Sequence, residues 1–306
     1  MKPAGERAAV TGALLLVQIL FGLHYLAAKI VVGTIPPRTW AVLRVTAAAL
    51  VLLLVVAALR RSLRFSRADL GRLAIYSVFG IVINQICFIE GLHRTTPTHS
   101  SIINTTIPIG TLLFAVLLRR ESLDLWKSLS LAVSLAGVLL VVHPHQAGFS
   151  SETLAGDLLT LANAMSYALF LVISKRLLAR SDPLAATTVL MGFGALGILA
   201  IGAPGLAAFR PSAIPASIWV LAALIVVFAT VVTYFLNYWA LARVESSLVA
   251  LFIYVQPVIA TVLSAIVLAE RPEPHVLAGG ALVFAGVWLS LRKRTPAPLP
   301  VESAEG

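Results

Sequence analysis

The chain has 306 residues, of which 59% are hydrophobic and only 12% charged, with a mean hydropathy of +0.96. A soluble domain of this size carries far more charge on its surface, so a soluble globular protein is excluded. The net charge of +10 is spread over short loops and needs no nucleic acid to explain it, and the one cysteine, Cys87, excludes an intrachain disulfide and a cysteine-based metal cluster.

Residues 1–7 are polar and carry Lys2 and Arg7, and the apolar run from Ala8 to Val32 follows. It is too long for a signal-peptide core and lacks a small-residue cleavage site, so it reads as a first, uncleaved span. Nine more apolar runs follow, at 38–59, 70–92, 96–118, 124–142, 154–175, 184–205, 215–241, 246–268 and 273–292. About 20 apolar residues cross a hydrocarbon core. Only helices or closed barrels satisfy backbone polar groups there, and the runs are continuous rather than alternating. The expected fold is an all-α integral membrane protein of ten transmembrane helices. Pro36 and Pro37 end the first span, an arginine run (Arg60, Arg61, Arg64, Arg67) ends the second, and Pro183, Pro204 and Pro215 punctuate the second half. Residues 293–306 are largely Pro-rich and polar and read as a disordered cytoplasmic tail.

The stretch from Thr105 to Val138 has an echo from Tyr254 to Val287. A shift of 149 residues lays Pro108 on Pro257, Glu121 on Glu270 and Gly137 on Gly286 without a gap, and upstream it lays Phe79 on Phe228 and Leu92 on Leu241. The chain therefore divides into two five-span copies, 8–142 and 154–292. An odd number of spans per copy inserts the second copy upside down, an inverted-repeat architecture of secondary transporters with the substrate site between the halves. Of the 23 Lys and Arg residues, Lys29 and Arg44 lie within spans and Arg38, Arg94, Arg210 and Arg271 fall in outer segments if the N-terminus is inside. The other 17 are then inside. The positive-inside rule thus puts both termini in the cytoplasm of a multi-pass cell-membrane protein, bacterial inner membrane being the expected setting, and anionic lipid headgroups are the partner of the basic loops.

The Pro-x12-Glu spacing seen twice and the ending VLAERPE…GGALVFAGV (Val267–Val287) resemble the EamA-like drug/metabolite transporters. LFGLHYLAAK (Leu20–Lys29) resembles that family's first-span segment, with Phe21 where tryptophan is common. SYALFLVISK (Ser166–Lys175) resembles the same element in the second copy, and Leu43-Arg44 is similar to the family's second-span pattern. The resemblance implies ten spans, cytoplasmic ends, a central cavity and export of small metabolites such as amino acids or drug-like compounds.

Transport needs polar groups converging on one cavity. Thr230, Thr233, Tyr234 and Asn237 form a stripe on the eighth span, Tyr76, Gly80 and Asn84 on the third with Gln85 beside them, and Gln18, Gly22 and Tyr25 on the first. Asn104 precedes Pro108, and Tyr254 and Gln256 precede Pro257. Each proline leaves a carbonyl four residues back unpaired, which kinks the helix and frees an acceptor. The substrate-binding candidates are Gln18, Tyr25, Asn84, Asn104, Tyr167, Thr233, Tyr234, Asn237, Tyr254 and Gln256, with Pro108 and Pro257 as helix kinks. Interhelical hydrogen-bond glue is the alternative role for each.

Among charges at membrane depth, Arg44 pairs most naturally with Glu90. The sharper readings make Glu90 a protonatable coupling carboxylate or Arg44 a clamp on a substrate carboxylate. His24 lies off the Gln18–Tyr25 face and ranks lower. Glu121 and Glu270 read as loop anchors. Ala132-x3-Ala136 and Ala281-x3-Ala285 permit close helix approach, either within the bundle or in a homodimer.

The function expected is a secondary transporter of a small-molecule substrate, without cofactor, metal or nucleic acid. A facilitative or nucleotide-sugar-type carrier is the alternative. An integral-membrane enzyme would need a catalytic constellation that the sequence does not offer, and a channel would need a filter or a ring of like charges.

Overall fold

In a computed structural model of the chain, residues 4–94, 100, 103–122, 124–142, 154–207, 209–259 and 274–292 are described. They form ten helices: α1 (Ala4–Val32), α2 (Pro37–Ala58), α3 (Arg67–Arg94), α4 (Thr106–Leu117), α5 (Leu125–Val142), α6 (Leu154–Ala179), α7 (Pro183–Ala207), α8 (Ala216–Leu241), α9 (Ser246–Ile259) and α10 (Pro274–Arg292). No strand occurs among the described residues. Six of the helices, α1, α2, α3, α6, α7 and α8, are each long and apolar enough to cross a membrane. Ile30, Leu54, Ile75, Leu158, Leu196 and Val220 stand exposed on their outer faces, as a lipid solvent requires. The chain is an all-α integral membrane protein built as two inverted five-helix repeats.

The helix ends follow local sequence signals. Ser66 accepts a hydrogen bond from the Asp69 amide (3.1 Å) at the start of α3, Asp124 from the Lys127 amide (2.8 Å) at α5, and Asp182 from the Ala185 amide (2.9 Å) at α7. The α2 and α4 helices close with Arg60 (φ 50°) and Arg119 (φ 52°) in the left-handed conformation. There the amides of Arg61 and Arg120 reach back to the carbonyls of Val56 (3.0 Å) and Ala115 (2.8 Å). Arg61 and Asp182 (3.8 Å), Arg180 and Asp69 (2.5 Å), and Arg243 and Glu6 (3.8 Å) pair at one end of the bundle, where the basic loops converge.

The helices pack in a pattern that maps onto itself when each helix is exchanged for the one five further on. Thus α1 lies on α8 as α6 lies on α3, α1 lies on α9 as α6 lies on α4, and α2–α7, α4–α9 and α5–α10 are self-related pairs. The α5–α10 contact is the tightest. A Cβ on Gly137 would stand 2.6 Å from the Gly279 carbonyl oxygen and 2.8 Å from the Val283 nitrogen. A Cβ on Gly286 would stand 2.8 Å from the Ser130 carbonyl oxygen, beside Ser134. Gly137 and Gly286 occupy equivalent repeat positions, as do Ser130 and Gly279, and Ser134 and Val283. Ala132, Ala136, Ala281 and Ala285 are instead exposed, so they do not make this contact. The packing reading of these alanines is replaced by the serine–glycine face.

Two π-helical segments interrupt the long spans, Val78–Ile83 in α3 and Val227–Val232 in α8. They fall at the same register of the two repeats. The helix also breaks at Thr105, just ahead of Pro108, and tightens to a 3-10 turn at Phe252–Tyr254, just ahead of Pro257.

Candidate functional site

The buried polar side chains gather just past the two π-helical segments, where α3 and α8 carry Asn84, Gln85, Tyr234 and Asn237. Asn84 donates to Asn163 (2.6 Å), Asn163 to Asn104 (3.0 Å), and Asn104 to the Tyr25 hydroxyl (2.6 Å). Gln85 donates to the Tyr234 hydroxyl, which lies 149 residues away and so at its own repeat equivalent. Asn237 donates to the Tyr167 hydroxyl, and Gln256 to the side-chain Oε1 of Gln18 (2.7 Å). Such bonds in a low-dielectric interior are stronger than in water, and leaving one unmade is costly.

These groups line a cavity that encloses about 670 Å³ when its opening to the outside is included. Its walls come from α1, α3 and α4 of one repeat, from α6, α8 and α9 of the other, and from Arg44 of α2. Phe21, Tyr25, Phe88, Tyr167 and Tyr234 give it an aromatic lining. His24 stacks on Phe88 (5.5 Å between ring centres).

Gln18, Tyr25, Asn84, Asn104, Tyr167, Tyr234, Asn237 and Gln256 all face this cavity. Thr233 and Tyr254 are not among its walls. Thr233 is fully buried and its hydroxyl turns back to the Thr230 carbonyl (3.3 Å), while Tyr254 is fully buried in the core. His24, ranked low from its helical register, lines the site, and so do Gln85 and Asn163. Asn163 lies one helical turn before Tyr167, and that i,i+4 pairing was the signal available for it.

The Arg44–Glu90 pair does not form. Glu90 is held by Arg38 (2.9 Å) and Arg94 and lines a separate depression with Pro36, Phe209 and Arg210. Arg44 is 1% exposed and points the other way. Its Nε donates to the Thr230 hydroxyl (2.8 Å) and its Nη2 to the Ala229 carbonyl (3.1 Å), both in the π-helical segment of α8. The equivalent segment of α3 is likewise gripped from the opposite repeat, by the Ser166 hydroxyl on the Phe79 carbonyl (2.8 Å). The depth of the two residues along their spans does not fix the face of the helix on which each lies.

Two lysines cap helix ends in matching ways. Lys29 Nζ donates to the carbonyls of Leu92 (2.7 Å) and His93 (3.3 Å), at the end of α3. Lys175 Nζ donates to those of Leu241 (3.0 Å) and Val244 (2.5 Å), at and just past the end of α8. Glu121 acts as the anchor its position suggested. Its carboxylate accepts from the Ser247 amide (3.2 Å) and hydroxyl at the start of α9 and pairs with Lys127 (3.2 Å). Glu270, His143 and His145 lie outside the described residues. Among the described residues no group of three or more His, Cys, Asp or Glu gathers as a metal site would require.

A sequence model of the EamA-like transporter family matches residues 10–143 and, a second time, 154–292. The chain belongs to this family. Among its EamA-like relatives, the uncharacterized transporter YetK of Bacillus subtilis is 26% identical over 286 residues, covering 92% of this chain and 86% of that protein. An uncharacterized transporter of Archaeoglobus fulgidus is 26% identical over 227 residues, covering 72% and 76%. The B. subtilis uncharacterized transporter YyaM is 27% identical over 279 residues, covering 88% and 89%. A crystal structure superposes with a TM-score of 0.75 over 93% of this chain and 97% of that one at 21% identity, which shows a shared fold. The protein is a multi-pass membrane transporter of the EamA-like family.

Proposed function

We propose that this protein exports small metabolites, amino acids or drug-like compounds among them, by alternating access at the cavity between its two repeats. One observation carries the reading. The same cavity is walled by equivalent helices of both repeats, α1, α3 and α4 with α6, α8 and α9, so rocking one repeat against the other opens it to either side in turn. The repeats taken as moving units are residues 8–142 and 154–292, with 293–306 a cytoplasmic tail. The setting is a bacterial inner membrane with both termini cytoplasmic, supported by the 17 basic residues assigned to the inner segments. The described cavity wall contains no carboxylate, which leaves Glu90 as a structural partner of Arg38 and Arg94 and not as the coupling group.

The test is uptake of labelled small metabolites into proteoliposomes containing the purified full chain, with and without an imposed proton gradient. Saturable accumulation driven by the gradient supports coupled transport, and saturable equilibration indifferent to it means facilitated diffusion. Folded protein that moves no compound at all overturns the reading. Selective labelling of single cysteines placed at Ser122 and Arg210 reports the orientation. Cytoplasmic access at Ser122 with external access at Arg210 is the expected pattern.

A further inference from the structure

We infer that Arg44 is the anion anchor of the cavity and that the transported compound carries a carboxylate, which docks on the Arg44 guanidinium. This rests on the transporter reading above and narrows its substrate class.

Arg44 lines the cavity at 1% exposure. Its Nε and Nη2 are fixed by Thr230 and Ala229, two neutral acceptors that set the plane of the guanidinium without neutralising it. Its Nη1 is buried and finds no partner among the described residues. Among the described residues no carboxylate lines the same cavity, and Glu90 is taken by Arg38 and Arg94. A buried, orientated cation with a free N–H edge is a strong site for a planar anion, because charge-assisted hydrogen bonds gain most where water is excluded. Two more buried polar atoms in the same wall are also unpartnered, Gln85 Oε1 and His24 Nε2. Gln85 Oε1 can only accept, so it suits a hydroxyl or ammonium donor on the same compound. Phe21, Phe88 and Tyr167 supply apolar walls for the remaining body.

The anchor is tested on the purified full chain with three matched pairs: lactate and lactamide, alanine and alaninamide, and 3-phenylpropionate and 3-phenylpropionamide. Each amide keeps the shape and loses the negative charge. Ligand-induced thermal shift in detergent and uptake into proteoliposomes are both read. At least one acid is expected to bind about tenfold or more tightly than its amide, and Arg44→Met is expected to bring that acid down to the level of the amide. Arg44→Lys keeps the charge without the planar fork and should retain part of the preference. If Arg44→Met fails to fold, the acid-to-amide ratio of the native protein still decides. Amides that bind as tightly as their acids, or no response to any acid, overturn the anchor. An acid that binds in the thermal assay and is never transported overturns the transporter reading and leaves the anchor standing. Transport of the amides in preference to the acids does the reverse.

Discussion

Gln85 and Tyr234 are 149 residues apart and joined side chain to side chain at the wall of the cavity. Each is the other's counterpart in the repeat, and each directly follows its π-helical segment by one residue beyond the residue that closes it. The two repeats thus meet through equivalent residues at the wall of the cavity itself. A rocking motion must either preserve this bond as its pivot or break it.

Removing the Tyr234 hydroxyl by Tyr234→Phe leaves the Gln85 amide with only a long contact to Asn84 Oδ1 (3.5 Å) inside the bundle. The expected cost is about 1–3 kcal/mol of stability, read by thermal unfolding in detergent. Gln85→Leu should cost a similar amount. The double variant should lose less than the sum of the two, by roughly 0.5–3 kcal/mol, as coupled neighbours do. Additive losses would mean the bond contributes nothing to holding the repeats together.

Gly137→Ala and Gly286→Ala should destabilise to a similar degree, because each added methyl group enters the same symmetric contact. At Gly137 the new atom meets backbone 2.6–2.8 Å away, and at Gly286 it meets the Ser130 carbonyl at 2.8 Å. Backbone cannot rotate aside, so α5 and α10 must separate. Overpacking of this kind costs about 1–3 kcal/mol. Gly12→Ala and Gly192→Ala are the controls. A Cβ there meets nothing within 4 Å, and removing a helical glycine should be neutral or stabilising by up to about 1 kcal/mol. Thermal unfolding of the four variants separates the classes.

The repeat was legible because Pro108 and Pro257, Glu121 and Glu270, and Gly137 and Gly286 are residue types that an apolar background does not supply by accident of composition. The structure adds that the π-helical segments keep the same register. Those segments are also why the face of α8 was only partly legible. A stripe of Thr230, Thr233, Tyr234 and Asn237 assumes regular α-helical periodicity. An i→i+5 segment ending at Val232 shifts Thr230 out of register with the residues that follow, and its hydroxyl turns back to the Ile225 carbonyl (3.1 Å). Thr233 lies in the regular helix with Tyr234 and Asn237, and its hydroxyl bonds the Thr230 carbonyl instead. His24 was discounted on a similar angular count, and the cavity is wide enough to take in both it and Tyr25. Which helix faces which could not be read for Arg44 and Glu90, since depth along a span carries no azimuth.

Glu90→Gln tests that last separation directly. It removes a carboxylate shared by Arg38, which is 65% exposed, and Arg94, which is 41% exposed. Partners this solvated contribute about 0.2–1 kcal/mol each, so a modest loss of thermal stability is expected. Transport per folded molecule should be unchanged. A double-mutant cycle between Glu90→Gln and Arg38→Gln should show coupling, and one between Glu90→Gln and Arg44→Met should show none. Coupling in the second cycle, or loss of gradient-driven transport in Glu90→Gln alone, would contradict the separation of the two groups.

Glu121 links a loop of the first repeat to the start of α9 in the second. Its side chain is 4% exposed, and it satisfies the Ser247 amide and hydroxyl while pairing with Lys127, which also reaches Glu245 (3.1 Å). The start of α9 is therefore capped by a residue 126 positions earlier in the chain and not by a local side chain, as Glu245 makes no capping bond of its own. Glu121→Ala should cost about 0.5–2 kcal/mol, the usual value of a lost N-cap, and should also leave Lys127 with only its Glu245 partner. Glu121→Gln keeps an acceptor oxygen for the Ser247 amide and should recover part of the loss. Because α9 carries Gln256 into the cavity, the alanine variant should weaken substrate binding as well as stability, and hydrogen exchange should rise at the amides of Ser247 and Leu248. Unchanged exchange at those amides in Glu121→Ala would show that α9 holds its first turn without the first repeat.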